Sequence, residues 1–193
     1  MAEFKQELIC DDISEEIISI TERLAMTEGA HNVNVKKIIS DMGVTNRVFY
    51  NRFHNSDEVL RIVYENAVEK MHSTIDLNIV SKENLLGYCM DAAEKVLTDT
   101  YDIKMQFSRY MFEHDSITES NKKWWMKEIR KNVEYAKSMD MIRDNIDIDT
   151  LCYSVWCFCR AFSVDAVSRK LPKEEAVKVF RFSFDCFLRG LLK

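Results

Sequence analysis

Residues 34–53 read NVKKIISDMGVTNRVFYNRF. Asn34 stands where a side-chain oxygen caps a helix, and Val35, Ile38, Ile39 and Met42 follow at helical spacing until Gly43 interrupts them. Glycine adopts the left-handed conformation that ends a helix, and Thr45 is a residue type that opens one, so Gly43-Val44-Thr45 predicts a tight turn. A second short helix runs from Asn46 to about Phe53. Val35, Ile38, Val44 and Phe49 supply apolar packing between the two helices, with Phe53 also assigned to the core. Asn46, Arg47, Asn51 and Arg52 are then left facing outward.

Two helices joined by a glycine-centred turn predict a helix-turn-helix, whose second helix enters the major groove of DNA. The residue types suit that task. Asparagine reads adenine and arginine reads guanine through paired hydrogen bonds, while the hydroxyls of Thr45 and Tyr50 suit phosphate oxygens.

The flanking sequence extends the helical pattern. Ile9, Ile13, Ile17, Ile20 and Leu24 recur at steps of three or four and predict a first helix ending near Gly29. Downstream, Ser56 followed by Asp57 and Glu58 predicts a capped helix start, and Val59, Ile62, Val63, Ala67 and Met71 carry the stripe of a fourth helix over about 56–73. Later apolar stripes contain Leu85, Cys89, Val96 and Leu97, then Phe107, Tyr110 and Met111, then Trp125, Ile129, Val133 and Ala136. Leu171-Pro172 separates two final helices, about 150–170 and 173–192. Four glycines and one proline in 193 residues leave few places to break a helix. The expected fold is therefore all-α, with about nine helices and no strand-like alternation.

Charge narrows the function. The net charge is −5, which excludes a generally basic nucleic-acid coat. Residues 1–29 carry eight acids against two bases, whereas over residues 31–56 Lys36, Lys37, Arg47 and Arg52 face Asp41 alone. A basic island in an acidic chain has the form of a small, directed phosphate-contacting surface.

The stretch VNVKKIISDMGVTNRVFYNRFHNSDEVL, residues 33–60, resembles the signature of the TetR-type transcriptional regulators. Gly43-Val44-Thr45, Phe49-Tyr50, Phe53 and Val59-Leu60 agree with it in order and spacing without a gap, over the first third of the chain. Two positions depart from the family pattern: Ile39 stands where alanine is usual, and Ser56 replaces a lysine that commonly touches the DNA backbone. The resemblance implies DNA-facing roles for Asn34, Lys36, Thr45, Asn46, Arg47, Tyr50, Asn51 and Arg52. It also implies a helix-turn-helix domain over 1–55 and a helical ligand-binding and dimerisation domain over 56–193, linked by the fourth helix. A homodimer would bind a palindromic double-stranded operator, usually as a repressor, and a small-molecule effector would release it.

In the larger part, LCYSVWCFCRAF (residues 151–162) is apolar nearly all round, and the last helix is similarly apolar. Such a pair suits a four-helix dimer interface, for which Val155, Phe158, Phe162, Phe180, Phe184, Phe187 and Leu191 are the candidates. Met90, Tyr101, Met105, Phe107, Tyr110, Met111, Trp124 and Trp125 are the candidate pocket residues, since ligand sites favour aromatic and methionine side chains.

Other chemistries find little support. The six cysteines read as small buried hydrophobes. Cys152, Cys157 and Cys159 lack the spacing of a zinc site, so no metal or cofactor is expected, although a thiol-reactive sensor is an open alternative. No nucleotide or hydrolase fingerprint is present, which argues against an enzyme. No apolar run has the roughly 20 residues that cross a bilayer, and the first residues lack a signal-peptide pattern, so no membrane partner and a cytoplasmic place are expected. The competing reading is a helical adaptor whose degenerate helix-turn-helix does not bind DNA.

Overall fold

The computed structural model describes residues 8–74, 85–102, 107, 110, 112–114 and 119–192. Among these the protein is all-α: α1 Asp12–Glu28, a 3-10 turn Ala30–Asn32, α2 Val35–Met42, α3 Asn46–Tyr50, α4 Ser56–Thr74, α5 Leu85–Asp102, α6 Ser120–Ser138, α7 Ile148–Ser168 and α8 Lys173–Arg189. The one β-type feature among the described residues is an isolated bridge between Ile142 and Leu192.

α1 starts one residue after Asp11, whose side chain accepts the Ser14 N–H at 3.1 Å while Ser14 Oγ accepts the Asp11 N–H at 3.2 Å. This reciprocal cap fixes the helix phase. The buried positions are Ser14, Ile17, Thr21, Leu24 and Ala25. Ile9 and Ile13, expected on that stripe, are 46% and 37% exposed. Ile9 precedes the helix, so helical spacing does not govern where its side chain lies.

α2 is capped at both ends. Asn34 Oδ1 accepts the Lys37 N–H at 3.0 Å, and the N–H groups of Gly43 and Val44 both return to the Ile39 carbonyl. Gly43 has φ 69 and ψ 25, the left-handed conformation. A Cβ there would meet nothing within 4 Å, so the dihedral and not space demands glycine. Thr45 then opens α3 in extended backbone, without a side-chain hydrogen bond to the helix. At the next start the cap is Asn55 and not Ser56: Asn55 Oδ1 accepts the Glu58 N–H at 2.8 Å, and Glu58 reaches back to the His54 N–H at 2.6 Å.

The N-terminal helices share one core. Ile17, Ile38, Phe49 and Val59 are fully buried in it, with Leu60, Val63, Tyr64 and Val68 supplied by α4 and Phe107 by the body. Two further clusters fill the body. Leu85, Val133, Ile142, Leu151 and Cys152 form one, and Met90, Leu97, Ala166, Ala176, Phe180 and Phe184 the other.

Two of the residues expected at a dimer surface lie inside the chain, and the other five are half-buried. Phe180 and Phe184 are 0% and 2% exposed within a single chain. Phe158 stacks on Phe184 and Phe187 at 5.3 and 5.5 Å, and Phe162 meets Phe180 edge-on at 5.2 Å. Val155, Phe187 and Leu191 also pack against the chain's own clusters. These residues cover one another, and none is among the exposed large hydrophobics, which on α7 and α8 are Tyr153, Val179 and Phe182.

The cysteines divide similarly. Cys152 is buried and Cys89, Cys157 and Cys159 half-buried, but Cys10 and Cys186 are exposed, contrary to the expectation that all six pack inside. Among the described residues no group of histidine, cysteine or acid side chains is arranged to hold a metal, and no helix is long and apolar enough to cross a membrane.

Candidate nucleic-acid interface and adjoining cavity

Thr45, Asn46, Arg47 and Tyr50 are all exposed at the start and along one side of α3. Residues 46, 47 and 50 are spaced to share a helix face, while Phe49, sealed at 0% exposure, holds the opposite side down. Tyr50 is 50% exposed, its ring edge-on to Phe49 at 5.4 Å, so the phenol projects from a fixed base. Lys36 is exposed near the start of α2, and Asn34, although exposed, is occupied in capping that helix. Asn51 is half-buried at the end of α3, where its carbonyl accepts the Ile9 N–H at 3.0 Å.

Arg52 departs from its expected DNA-facing place. Its Nε and Nη2 donate to the two carboxylate oxygens of Asp11 at 2.8 and 2.6 Å, and Nη1 donates to the Val48 carbonyl at 2.8 Å. Its side chain is only 8% exposed. A two-pronged arginine–carboxylate bond is strong and directional, and here it ties the chain before α1 to the end of α3. Lys37 is likewise engaged with Glu28 at 2.7 Å, and Asp41 is neutralised by Arg23. The basic island thus reduces to Lys36 and Arg47, neither of which has a carboxylate partner among the described residues.

The Arg52 guanidinium, through its hydrogen bonds, holds the Asp11 carboxyl well below the usual carboxylate range. A depressed folded-state pKa adds stability in full above the unfolded carboxylate value of about 4. That stability is lost as pH falls below it. Arg52→Ala is therefore expected to lower the melting temperature at pH 7 and to narrow the difference from the wild type as melts are taken down to pH 3. A variant whose melting temperature matches the wild type at both pH values would show that the pair contributes nothing.

Behind this surface lies a cavity of about 220 Å³, walled by residues of α4, α5, α6, α7 and α8. Tyr64, Val68 and Met71 come from α4, and Trp125, Val155, Trp156, Phe184 and Leu188 close it from the other helices. Tyr64 belongs at once to this wall and to the N-terminal core. Of the expected pocket residues that are described, Trp125 alone lines the cavity. Met90 and Tyr101 pack in the cluster around Phe180, with the Tyr101 hydroxyl donating to the Leu171 carbonyl at 2.9 Å. Phe107 and Tyr110 pack against the N-terminal core, and Trp124 stacks on His72 at 3.7 Å. Met105 and Met111 lie outside the described residues. Arg160, the one charged residue in the apolar run 151–162, also lines the cavity and is not among the expected pocket residues.

No family model matches the chain, and no curated protein matches it either. Solved structures do. A TetR-family transcriptional regulator from Pectobacterium atrosepticum superposes with a TM-score of 0.75 at 9% identity, over 94% of each chain. The chain has the fold of the TetR-family regulators. A TetR transcriptional regulator from Chloroflexus aurantiacus gives 0.63 at 11% identity, over 94% of this chain and 98% of that one. A ketosteroid transcriptional regulator of Mycobacterium tuberculosis also gives 0.63, at 12% identity over 98% and 100%. The TetR-type fold extends over nearly the whole chain, well beyond residues 33–60 where the sequence resemblance lies.

Proposed function

We propose that the protein is a DNA-binding transcriptional regulator that grips a palindromic operator as a homodimer, represses from it, and is released by a small molecule. Residues 1–55 would contact DNA and residues 56–193 would hold the effector and the dimer interface, with α4 linking them. The carrying observation is the exposed face Thr45, Asn46, Arg47 and Tyr50 on the second helix of a helix-turn-helix, beside Lys36. Asn46 and Arg47 are assigned to base edges, and Thr45, Tyr50 and Lys36 to phosphates. Asn34 and Arg52 are assigned to holding the surface in shape. Asn51 remains a candidate for a base or phosphate contact at the end of α3.

Two copies of α3 must sit about 34 to 36 Å apart to enter successive major grooves. A ligand in the cavity presses on Tyr64, and Tyr64 is part of the core that carries the helix-turn-helix. Effector binding would change the spacing of the two reading helices, and an effector that prefers the altered spacing weakens the DNA complex by population shift.

The test begins with selection of bound sequences from a random duplex pool, followed by mobility shift on the enriched site. Arg47→Ala and Asn46→Ala are each expected to cost roughly 1 to 3 kcal/mol and to relax preference at one base pair per half-site. Failure of the wild type to enrich any sequence would instead favour a helical adaptor with an unused helix-turn-helix. Unaltered affinity and preference in both variants would show that the reading face lies elsewhere.

A further inference from the structure

The polar side chains of the described cavity wall are turned to the protein's own groups. Thr100 Oγ1 donates to the Val96 carbonyl at 2.8 Å, Ser163 Oγ to the Cys159 carbonyl at 3.0 Å, and Asn132 Nδ2 to the Glu128 carbonyl at 3.1 Å, each within its own helix. Asn121 Oδ1 pairs with His72 Nε2 at 2.9 Å. Arg160 of α7 donates to the Phe112 carbonyl at 3.1 Å, lies 6.0 Å from the Trp156 ring centre and, like Tyr64 and Tyr88, is engaged further within the protein. Burial pushes the Cys89 thiol up to about 11 and the Cys159 thiol up to about 12, so both stay protonated and neutral at physiological pH. The rest of the described wall is aliphatic and aromatic, with Val68, Leu85, Val96, Val133, Leu151 and Phe184 among its members.

We propose that this cavity takes a small, uncharged and predominantly apolar molecule, held by burial and shape and not by a directed polar bond. To an incoming hydroxyl or ion the wall offers groups that already have partners. A polar ligand group would therefore lose its water without replacement, or displace a bond that the protein makes to itself. Water fares no better there, since a buried water needs about two to four polar partners. A hydrocarbon has no such need. Its apolar surface leaves water, and it makes dispersion contacts with the whole lining. Size narrows the class further. An apolar cavity of roughly 150 Å³ holds benzene, and drug-sized ligands occupy pockets from about 300 Å³ upward. The 220 Å³ found here suits a molecule of about ten non-hydrogen atoms, such as a short-chain alkylbenzene. The idea deepens the effector-responsive reading above and rests on it for its biological meaning, but binding is measurable without DNA.

Butylbenzene, phenylpropanol, phenylacetate and phenylpropylamine are of like size and differ in the polar group, which makes them suitable probes. They are titrated into the full-length protein by calorimetry, with tryptophan emission followed in parallel because Trp125 and Trp156 line the wall. Butylbenzene is expected to bind at least about tenfold more tightly than the alcohol, because burying an unpaired hydroxyl is costly, and the acid and the amine should bind more weakly still. Toluene should also bind more weakly than butylbenzene, since it touches less of the lining. Ala92→Leu, which enlarges a wall residue of α5, should cost butylbenzene its advantage over toluene, a change of size order that a mere loss of stability would not produce. Should that variant fail to fold, Val155→Ala on α7 decides by widening the space, and hexylbenzene should then overtake butylbenzene. A folded variant that keeps the wild type's order of sizes overturns the inference. So does a wild type that binds none of the probes, or that binds the alcohol, the acid or the amine as tightly as butylbenzene. Because the operator test uses no hydrocarbon, a protein that selects DNA but ignores butylbenzene refutes only this inference. One that binds butylbenzene but selects no DNA refutes only the regulatory reading.

Discussion

Phe49→Ala is expected to destabilise the helix-turn-helix by about 3 to 5 kcal/mol, the usual cost of emptying a phenylalanine site in a core. Phe49 is fully buried, with its ring 5.9 Å from that of Phe53 and in one cluster with Ile17, Ile38 and Val59. Its helix cannot compensate. α3 has five residues, far below the roughly 12 to 15 at which an isolated helix becomes even marginal, so tertiary contact supplies nearly all of its order. Domains of this size are stable by only about 5 to 15 kcal/mol, and the loss should expose the amides of α2 and α3 well before the body melts. Denaturant titration with residue-resolved amide exchange measures both effects. Tyr50→Ala, one residue away on the exposed face, should leave stability within roughly 0.5 kcal/mol while still weakening DNA binding. Equal stability losses in the two variants would contradict the division of α3 into a buried and a reading face.

The division of α3 into a buried and an exposed side was largely legible in the sequence, because its signals are local. Asn34 and Gly43 bracket α2 through their own backbone geometry, and the four-residue step from Phe49 to Phe53 points both rings to one side. The errors concern what lies across space. Nothing near Arg52 announces that Asp11, 41 residues earlier, will claim its guanidinium, so the count of free bases in residues 31–56 came out too high. Asn55 and not Ser56 caps α4: Asn55 Oδ1 accepts the Glu58 N–H while the Glu58 carboxylate returns to the His54 N–H, an exchange that the serine's place in the sequence does not announce. In the body, periodicity finds an apolar face but not its partner. Phe107 looked like pocket lining and became core beneath the helix-turn-helix, while Phe180 and Phe184 looked like a dimer seam and became the interior of one chain. Arg160 is a lone charge among twelve mostly apolar residues, and its place in the cavity wall followed only from which side of α7 faces inward.

The turned-in phenylalanines determine where the proposed dimer should be attacked. Phe182 is 72% exposed and Val179 is 42% exposed one turn earlier on α8, while Tyr153 is 50% exposed on α7. A side chain as apolar as Phe182 standing almost entirely in water is the kind of residue that a partner surface buries, and a buried aromatic anchor typically carries at least about 2 kcal/mol of association energy. Phe182→Glu is therefore expected to raise the dimer dissociation constant by roughly thirtyfold or more, and a two-fold axis passing near the site would add repulsion between the two carboxylates. Sedimentation equilibrium should show the change. The melting temperature of the isolated subunit should barely move, because Phe182 packs in none of the three core clusters. Phe184→Ala provides the contrast, removing a ring that Phe158, Phe180 and Phe187 all contact and so lowering subunit stability directly. Operator affinity should fall with the dimer in Phe182→Glu, since a single headpiece brings, among the described residues, only Lys36 and Arg47 without a carboxylate partner and would read half of a palindrome. A Phe182→Glu protein that remains dimeric and holds the selected operator as tightly as the wild type would place the interface on another surface.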